Sequence, residues 1–176
     1  MANTQTLYLA GGCFWGVEEL FRQIPGVVET QAGYANGNLT QDVTYQRVCE
    51  GDTEFRETVH VVFDPDIVSA ERILWAYFRI VDPTVSNRQG NDVGTQYQAG
   101  IYWDAADSEL REVVRQIVDG ERARVEAQGL PFCIEAHELR NFFEAEEYHQ
   151  RYLVKNPGGY CHVPRTEMDE VLAELT

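Results

Sequence analysis

Residues 7–21, "LYLAGGCFWGVEELF", hold the change of period on which the fold reading turns. Leu7, Tyr8, Leu9 and Ala10 form a short apolar run of the kind that builds a buried strand. After Gly11-Gly12 the period lengthens: Phe14, Val17, Leu20 and Phe21 recur at spacings of three and four, one face of a helix. Cys13 falls at the junction, in the expected first turn of that helix, behind two glycines and ahead of two aromatic residues. A strand that breaks at Gly-Gly-Cys into a helix is therefore the first β-α unit of the fold and its first candidate for chemistry.

Outward from this stretch, Pro25-Gly26 stops the helix and Val27 to Tyr34 reads as a second strand ending in the turn-rich "GYANGN". Val59, Val61 and Phe63 alternate with their neighbours in a third strand closed by Asp64-Pro65. Ser69 opens a helix with Ile73, Leu74, Tyr77, Phe78 and Val81 inward, and residues 95–103, "TQYQAGIYW", suit a fourth strand. Ser108 is the expected cap of a long helix running to about Gly129, with "PFCIEAH" a fifth strand and "AEEYHQRYLVKN" a last short helix before an irregular tail. The order predicts an α+β, two-layer sandwich with a ferredoxin-like β-α-β-β-α-β core and a mostly antiparallel sheet, followed by the C-terminal helix and tail.

Composition narrows the rest. At 176 residues, with 44% apolar and 24% charged residues, the chain 1–176 is expected to be one domain with one core. A formal net charge of −15 speaks against nucleic-acid or anionic-membrane partners. No Lys or Arg precedes Arg22, and no apolar run reaches the length of a membrane span, so a cytoplasmic location and no membrane attachment are expected. Cys13, Cys49, Cys133 and Cys161 are scattered with no C-x-x-C pair, which predicts neither a disulfide scaffold nor a zinc site.

At a helix start, unpaired N–H groups and the dipole favour an anion, a recognised way of lowering a thiol pKa. Cys13 is thus a candidate nucleophile; the alternative is a small buried hydrophobe fitting a tight turn. Phe14 and Trp15 point about 100° apart, so one ring is expected to wall the thiol. Glu57 enters an apolar strand, where a carboxyl can stay protonated and act as a general acid, or lie solvated at a strand end. Tyr45, Asp92 and Tyr97 are further candidates, the last two in the glycine-rich "RQGNDVGTQYQAG". His137, His149 and His162 leave a Cys–His hydrolase open on residue type alone. The Glu144, Glu146 and Glu147 run reads as a solvated helix face, and "ERARVE" as exposed charge pairing.

Together "GGCFWGVEELF", "RQGNDVGTQY" and "EYHQRYLVKNPGGYC", with "IPGV", "GYANG", "TYQRVC" and "VVFDP" in order from Leu7 to Cys161, resemble the A-type peptide methionine sulfoxide reductases. The resemblance implies that Cys13 attacks the sulfur of a methionine S-sulfoxide, free or in proteins, releasing methionine and becoming a sulfenic acid. Phe14 and Trp15 would hold the substrate methyl group. Glu57 would protonate the oxygen, helped by Tyr45 and Tyr97 and supported by Asp92. Cys161 would resolve the sulfenic acid to a disulfide that thioredoxin or a similar reductant resets; no metal or bound organic cofactor is implied, and a monomer is expected. The same activated thiol leaves another thiol enzyme, a peroxidase or Cys–His hydrolase, as a rival, and departures from the family pattern add a catalytically impaired methionine-sulfoxide-binding relative. Glu54-Phe55-Arg56 replaces the usual Gly-His-Ala before the glutamate, and Phe142-Phe143-Glu144 replaces Phe-Tyr-Pro. The tail has no second recycling cysteine, so one resolver is expected, with Cys49 structural.

Overall fold

The computed structural model describes residues 3–176; the first two residues of the expected domain lie outside them. Strand β1 (Gln5–Ala10), helix α1 (Phe14–Phe21), β2 (Val27–Ala35), the short α2 (Tyr45–Cys49), β3 (Arg56–Phe63) and α3 (Ala70–Ile80) form the first half. The second half contains β4 (Arg88–Gln89), β5 (Asp92–Val93), a 3₁₀ turn at Thr95–Tyr97, β6 (Gly100–Trp103) and α4 (Ser108–Glu126). It ends with β7 (Glu135–Glu138), β8 (Phe142–Glu144), a 3₁₀ turn at Glu147–His149, α5 (Tyr152–Lys155) and α6 (Arg165–Leu175).

Six strands make one sheet in the order β7-β6-β1-β3-β2-β8. Its centre, β6-β1-β3-β2, is the antiparallel order of a ferredoxin-like sandwich, and β6-β7 is a parallel pair. Alternation sorts the two faces. Leu7 and Leu9 lie opposite Val61 and Val59, and with Glu57, Phe63, Ala32, Tyr34 and Ile101 they face the buried layer under α1, α3 and α4. The other face is covered locally by Tyr8, His60 and Phe142, whose rings lie 5.0 to 5.9 Å apart.

Several elements differ in extent from the sequence reading. Residues 95–97 turn as 3₁₀ helix instead of extending β6, the fifth strand begins at Glu135 rather than Pro131, and α4 is capped by Asp107, which accepts the Leu110 N–H at 2.9 Å, rather than by Ser108. The periodic stretch 145–156 is not one helix: Arg151 sits in the left-handed region (φ 49°), where the buried Glu18 carboxylate accepts its N–H at 2.7 Å. The tail is irregular through residues 156–164 and then forms α6, which buries Met168 and Val171. Among the described residues no helix is long and apolar enough to cross a membrane, and no group of three or more His, Cys, Asp or Glu could hold a metal ion.

Candidate active site

The site grows from the junction between β1 and α1. Gly12 takes φ +86°, and a Cβ there would lie 2.7 Å from the Gln89 Cβ, so the sharp entry requires glycine. Cys13 follows as the residue that caps α1, one position before the first helical residue, Phe14. Cys13 itself makes no side-chain capping hydrogen bond to the orphan N–H groups of this helix. The Phe14 N–H donates instead to Glu57 Oε1 at 3.2 Å. The Glu57 carboxyl, brought in from β3, therefore serves the helix start beside the thiol.

Glu57 lies at the end of the buried face of β3, opposite Tyr34, and is 2% exposed. Burial pushes its pKa up to about 8, with Asp92 adding and the Phe14 N–H opposing. At neutral pH it is an uncharged acid. Cys13 is 7% exposed, and its thiol is pushed up as well, first by burial and then by Glu57; the Trp15 N–H offsets only part of this. The sequence reading of a lowered thiol pKa is thereby corrected: burial outweighs the helix start, and the resting sulfur carries its proton.

Cys13, Phe14, Trp15, Tyr45, Glu57, Asp92, Tyr97 and Tyr160 line one cavity of about 100 Å³. Seven of these were singled out in the sequence; Tyr160 was not, and its place directly before Cys161 was the one signal for it. Larger clefts, about 550 Å³ beside Tyr8 and Asp104 and about 540 Å³ beside Trp75 and Glu167, contain no thiol and no buried acid. The small cavity fits the end of a side chain rather than a whole organic ligand.

Its walls are fixed by Tyr152, His149 and Glu146, none of which the sequence placed in this role. The Trp15 indole stacks on Tyr152 (3.6 Å, 10°) and donates from Nε1 to His149 Nδ1 at 3.0 Å. His149 is 1% exposed, and burial lowers its pKa, so it is a neutral acceptor packed on Phe14 and Tyr45. Glu146 is not part of a solvated helix face. Its carboxylate accepts from the Tyr34 hydroxyl at 2.8 Å and from the Tyr45 N–H at 3.1 Å, which anchors α2 over the cavity. Burial keeps the Tyr45 and Tyr97 hydroxyls protonated, with Cys49 foremost of the groups adding to it at Tyr45 and Glu57 at Tyr97. Tyr160 donates to Asp92 Oδ1 at 3.0 Å. No histidine lines the cavity; His162 donates from Nε2 to the Gly11 carbonyl at 2.8 Å, and His137 lies beside Tyr102.

Cys161 approaches from the tail. All four cysteines are free, and the Cys161 S–H donates to the Val163 carbonyl at 3.2 Å. Its sulfur lies 3.0 Å from where a Cβ on Gly16 would stand, so it packs on α1 one turn beyond Cys13. The altered residues before Glu57 are accounted for in turn. Phe55 is buried against Gly37 and the edge of Phe143 (5.8 Å, 89°), Glu54 is exposed with φ 63°, and Arg56 turns away to pair with Glu135.

Comparison with known proteins fits this geometry. The sequence model described as "Peptide methionine sulfoxide reductase" matches residues 5–175. A relative named Peptide methionine sulfoxide reductase MsrA, from Clostridium acetobutylicum, is 47% identical over 90% of this chain and 94% of its own. Among solved structures, methionine sulfoxide reductase A of Corynebacterium diphtheriae superposes with TM-score 0.83 at 39% identity, covering 90% of this chain and 77% of that one. Mxr1 from Saccharomyces cerevisiae in reduced form gives 0.80 at 37% identity, with coverage of 90% and 88%. Mxr1 in complex with Trx2 gives 0.57 at 23%, with coverage of 85% and 84%.

Proposed function

The chain belongs to the peptide methionine sulfoxide reductase family, and from that premise we propose how its residues reduce methionine sulfoxide. The enzyme is an oxidoreductase: the substrate sulfur gains two electrons, and the thiol of Cys13 supplies them. Substrate enters with its methyl group against Phe14 and Trp15 and its oxygen toward Glu57, Tyr45 and Tyr97. Protonated Glu57 donates to that oxygen while the Cys13 sulfur forms a bond to the sulfoxide sulfur. The proton leaving Cys13 returns to the Glu57 carboxylate, so the acid is restored and no charge is left in the buried site. The hydroxyl then passes from the substrate sulfur to the Cys13 sulfur as the substrate S–O bond and the bond between the two sulfurs break; methionine departs, Cys13 is left as a sulfenic acid, and Cys161 displaces the hydroxyl as water to form a disulfide.

The single observation that supports this reading is the Cys13–Glu57 arrangement. A thiol and an uncharged carboxylic acid share the start of α1 in a cavity with two phenols, as an oxygen that leaves only when protonated requires. Asp92 holds Tyr160 against the mouth of the site. The S epimer as substrate, thioredoxin or a similar reductant for the disulfide, a single catalytic domain, a monomeric state, a cytoplasmic setting and a role in repairing oxidised protein complete the proposal. The complex of yeast Mxr1 with Trx2 supports the choice of reductant.

A dithiothreitol-driven assay on an S-sulfoxide dipeptide tests it. Methionine should form with wild-type enzyme and fall to background with Cys13→Ser. Product formation that survives Cys13→Ser would remove the thiol from the reaction; binding without product would make the chain a sulfoxide-binding relative.

A further inference from the structure

Arg56 precedes the proposed acid on β3, and alternation sends its side chain to the face of the sheet opposite Glu57. There its guanidinium makes two contacts. Nε donates to Glu135 Oε1 at 3.0 Å, and Nη1 donates to the Thr95 carbonyl at 2.9 Å. The same Glu135 oxygen accepts the hydroxyl of the fully buried Tyr102 at 2.8 Å, so the ion pair is held from β6 as well. The Arg56 side chain is 17% exposed and that of Glu135 is 32% exposed, which leaves the pair partly shielded from water.

Thr95 opens the short 3₁₀ turn that ends in Tyr97, a wall of the cavity. The other ties of that turn are uncharged, and the Gln98 side chain secures its C-terminal end by accepting from the Asn87 N–H at 2.7 Å and donating to the Cys133 carbonyl at 2.7 Å. The Tyr97 N–H donates to Gly94 at 3.0 Å, the Gln98 N–H donates to Thr95 at 3.3 Å, and the Thr95 hydroxyl donates to the Gly51 carbonyl at 3.3 Å. The guanidinium is the only charged donor among these contacts, and charge-assisted hydrogen bonds are about twice as strong as neutral ones. We propose that Arg56, held by Glu135 and Tyr102, is a positioning residue that fixes the Thr95–Tyr97 turn and so aims the Tyr97 hydroxyl at the substrate oxygen. The inference rests on the reading of Tyr97 as a donor to that oxygen. Misplacing a reacting group by about 1 Å can cost on the order of 100-fold in rate; the remaining ties of the turn make a smaller loss the expectation.

The test is a double-mutant cycle of Arg56→Met and Tyr97→Phe, read as the single-turnover rate of methionine formation with saturating sulfoxide dipeptide. Arg56→Met should slow the wild-type background about tenfold, as a loss of kcat with little change in KM, and should slow the Tyr97→Phe background less than about twofold. Arg56→Lys, whose ammonium can still reach the Thr95 carbonyl, should recover part of the loss. Equal slowing in both backgrounds, or none in the wild type, overturns the proposal. If Arg56→Met does not fold, Glu135→Gln replaces it, with a loss of about threefold expected only while Tyr97 is present; an additive loss overturns the proposal equally. A Tyr97→Phe enzyme with full rate would instead overturn the reading of Tyr97 as a donor, and the inference with it.

Discussion

At the scale of single residues the proposed acid is Glu57. An ionised carboxylate there would repel the developing thiolate of Cys13, whereas a neutral acid can hand its proton to the oxygen. Burial selects the second state, carrying the pKa to about 8. Glu57→Gln keeps the shape but removes the transferable proton, and should slow methionine formation by about 10² to 10⁴, the range typical of general acids. The wild-type rate should fall as pH rises through about 8, and the residual rate of Glu57→Gln should lack that limb. Stability follows the same proton. The folded state binds it more tightly than the unfolded chain does, so this contribution is complete below about pH 4.5 and is lost as pH rises toward about 8. At about 1.4 kcal/mol per pH unit the window is worth on the order of 5 kcal/mol. Urea midpoints taken from pH 4.5 to 8.5 should therefore shift in favour of Glu57→Gln as pH increases, and parallel curves for the two proteins would contradict a buried, neutral Glu57.

At the scale of elements, the β1–α1 junction was legible because two periods meet across Gly11-Gly12, a local pattern. The central strand order and α3 were readable for the same reason: Val59, Val61 and Phe63 alternate, and Ile73, Leu74 and Tyr77 share a helix face. What escaped depends on distant partners. The five-residue α2, capped by Thr44, is fixed by Glu146 from a hundred positions away, and β8 exists only by pairing Phe142–Glu144 with β2. The pattern of 145–156 read as one helix because nothing nearby announced that Glu18 would hold Arg151 left-handed. Of the site, Cys13, Glu57 and Cys161 could be found in the sequence, whereas the Tyr152 stack and the His149 acceptor, although inside a quoted motif, and the Glu146 anchor took their roles only from the fold. Gly16 shows how an element can be shaped for a later step. In most helices Gly→Ala would gain up to about 1 kcal/mol. Here the added methyl would stand 3.0 Å from the Cys161 sulfur and 3.2 Å from His162 Nδ1, forcing the tail outward by a few tenths of an ångström. Gly16→Ala should release the first methionine at the wild-type rate but form the disulfide about tenfold more slowly, as followed by rapid quench and mass spectrometry. Unchanged disulfide formation would mean that Cys161 reaches Cys13 by another path.

Across the whole molecule, the two thiols of the proposed cycle sit near opposite ends of the chain, and the fold joins those ends. Helix α6 ties the tail to α1 and α3: Arg165 lies 3.7 Å from Glu19, Gln23 contacts the Met168 sulfur, and Arg72 donates to the Glu174 carbonyl at 2.7 Å. Between α5 and α6, residues 156–164 run past the site, with Tyr160 on Asp92, Cys161 over Gly16 and His162 on Gly11. This segment has no regular secondary structure, so the Cys161 side chain can leave the Val163 carbonyl without breaking a helix or strand. A disulfide needs the two Cα atoms within about 7 Å, an approach that favours a thiol already packed on the helix that starts at Cys13. The other cysteines are placed differently. Cys49 is exposed at the end of α2, and the Cys133 N–H is tied to Pro83; neither lines the cavity. Cys161→Ser should therefore release one equivalent of methionine per enzyme and then stop in a thioredoxin-coupled assay, while Cys49→Ser and Cys133→Ser continue to cycle. If thioredoxin-coupled turnover persisted in Cys161→Ser and vanished on adding Cys49→Ser, resolution would run through α2 instead, the element that Tyr45 and Glu146 hold over the cavity.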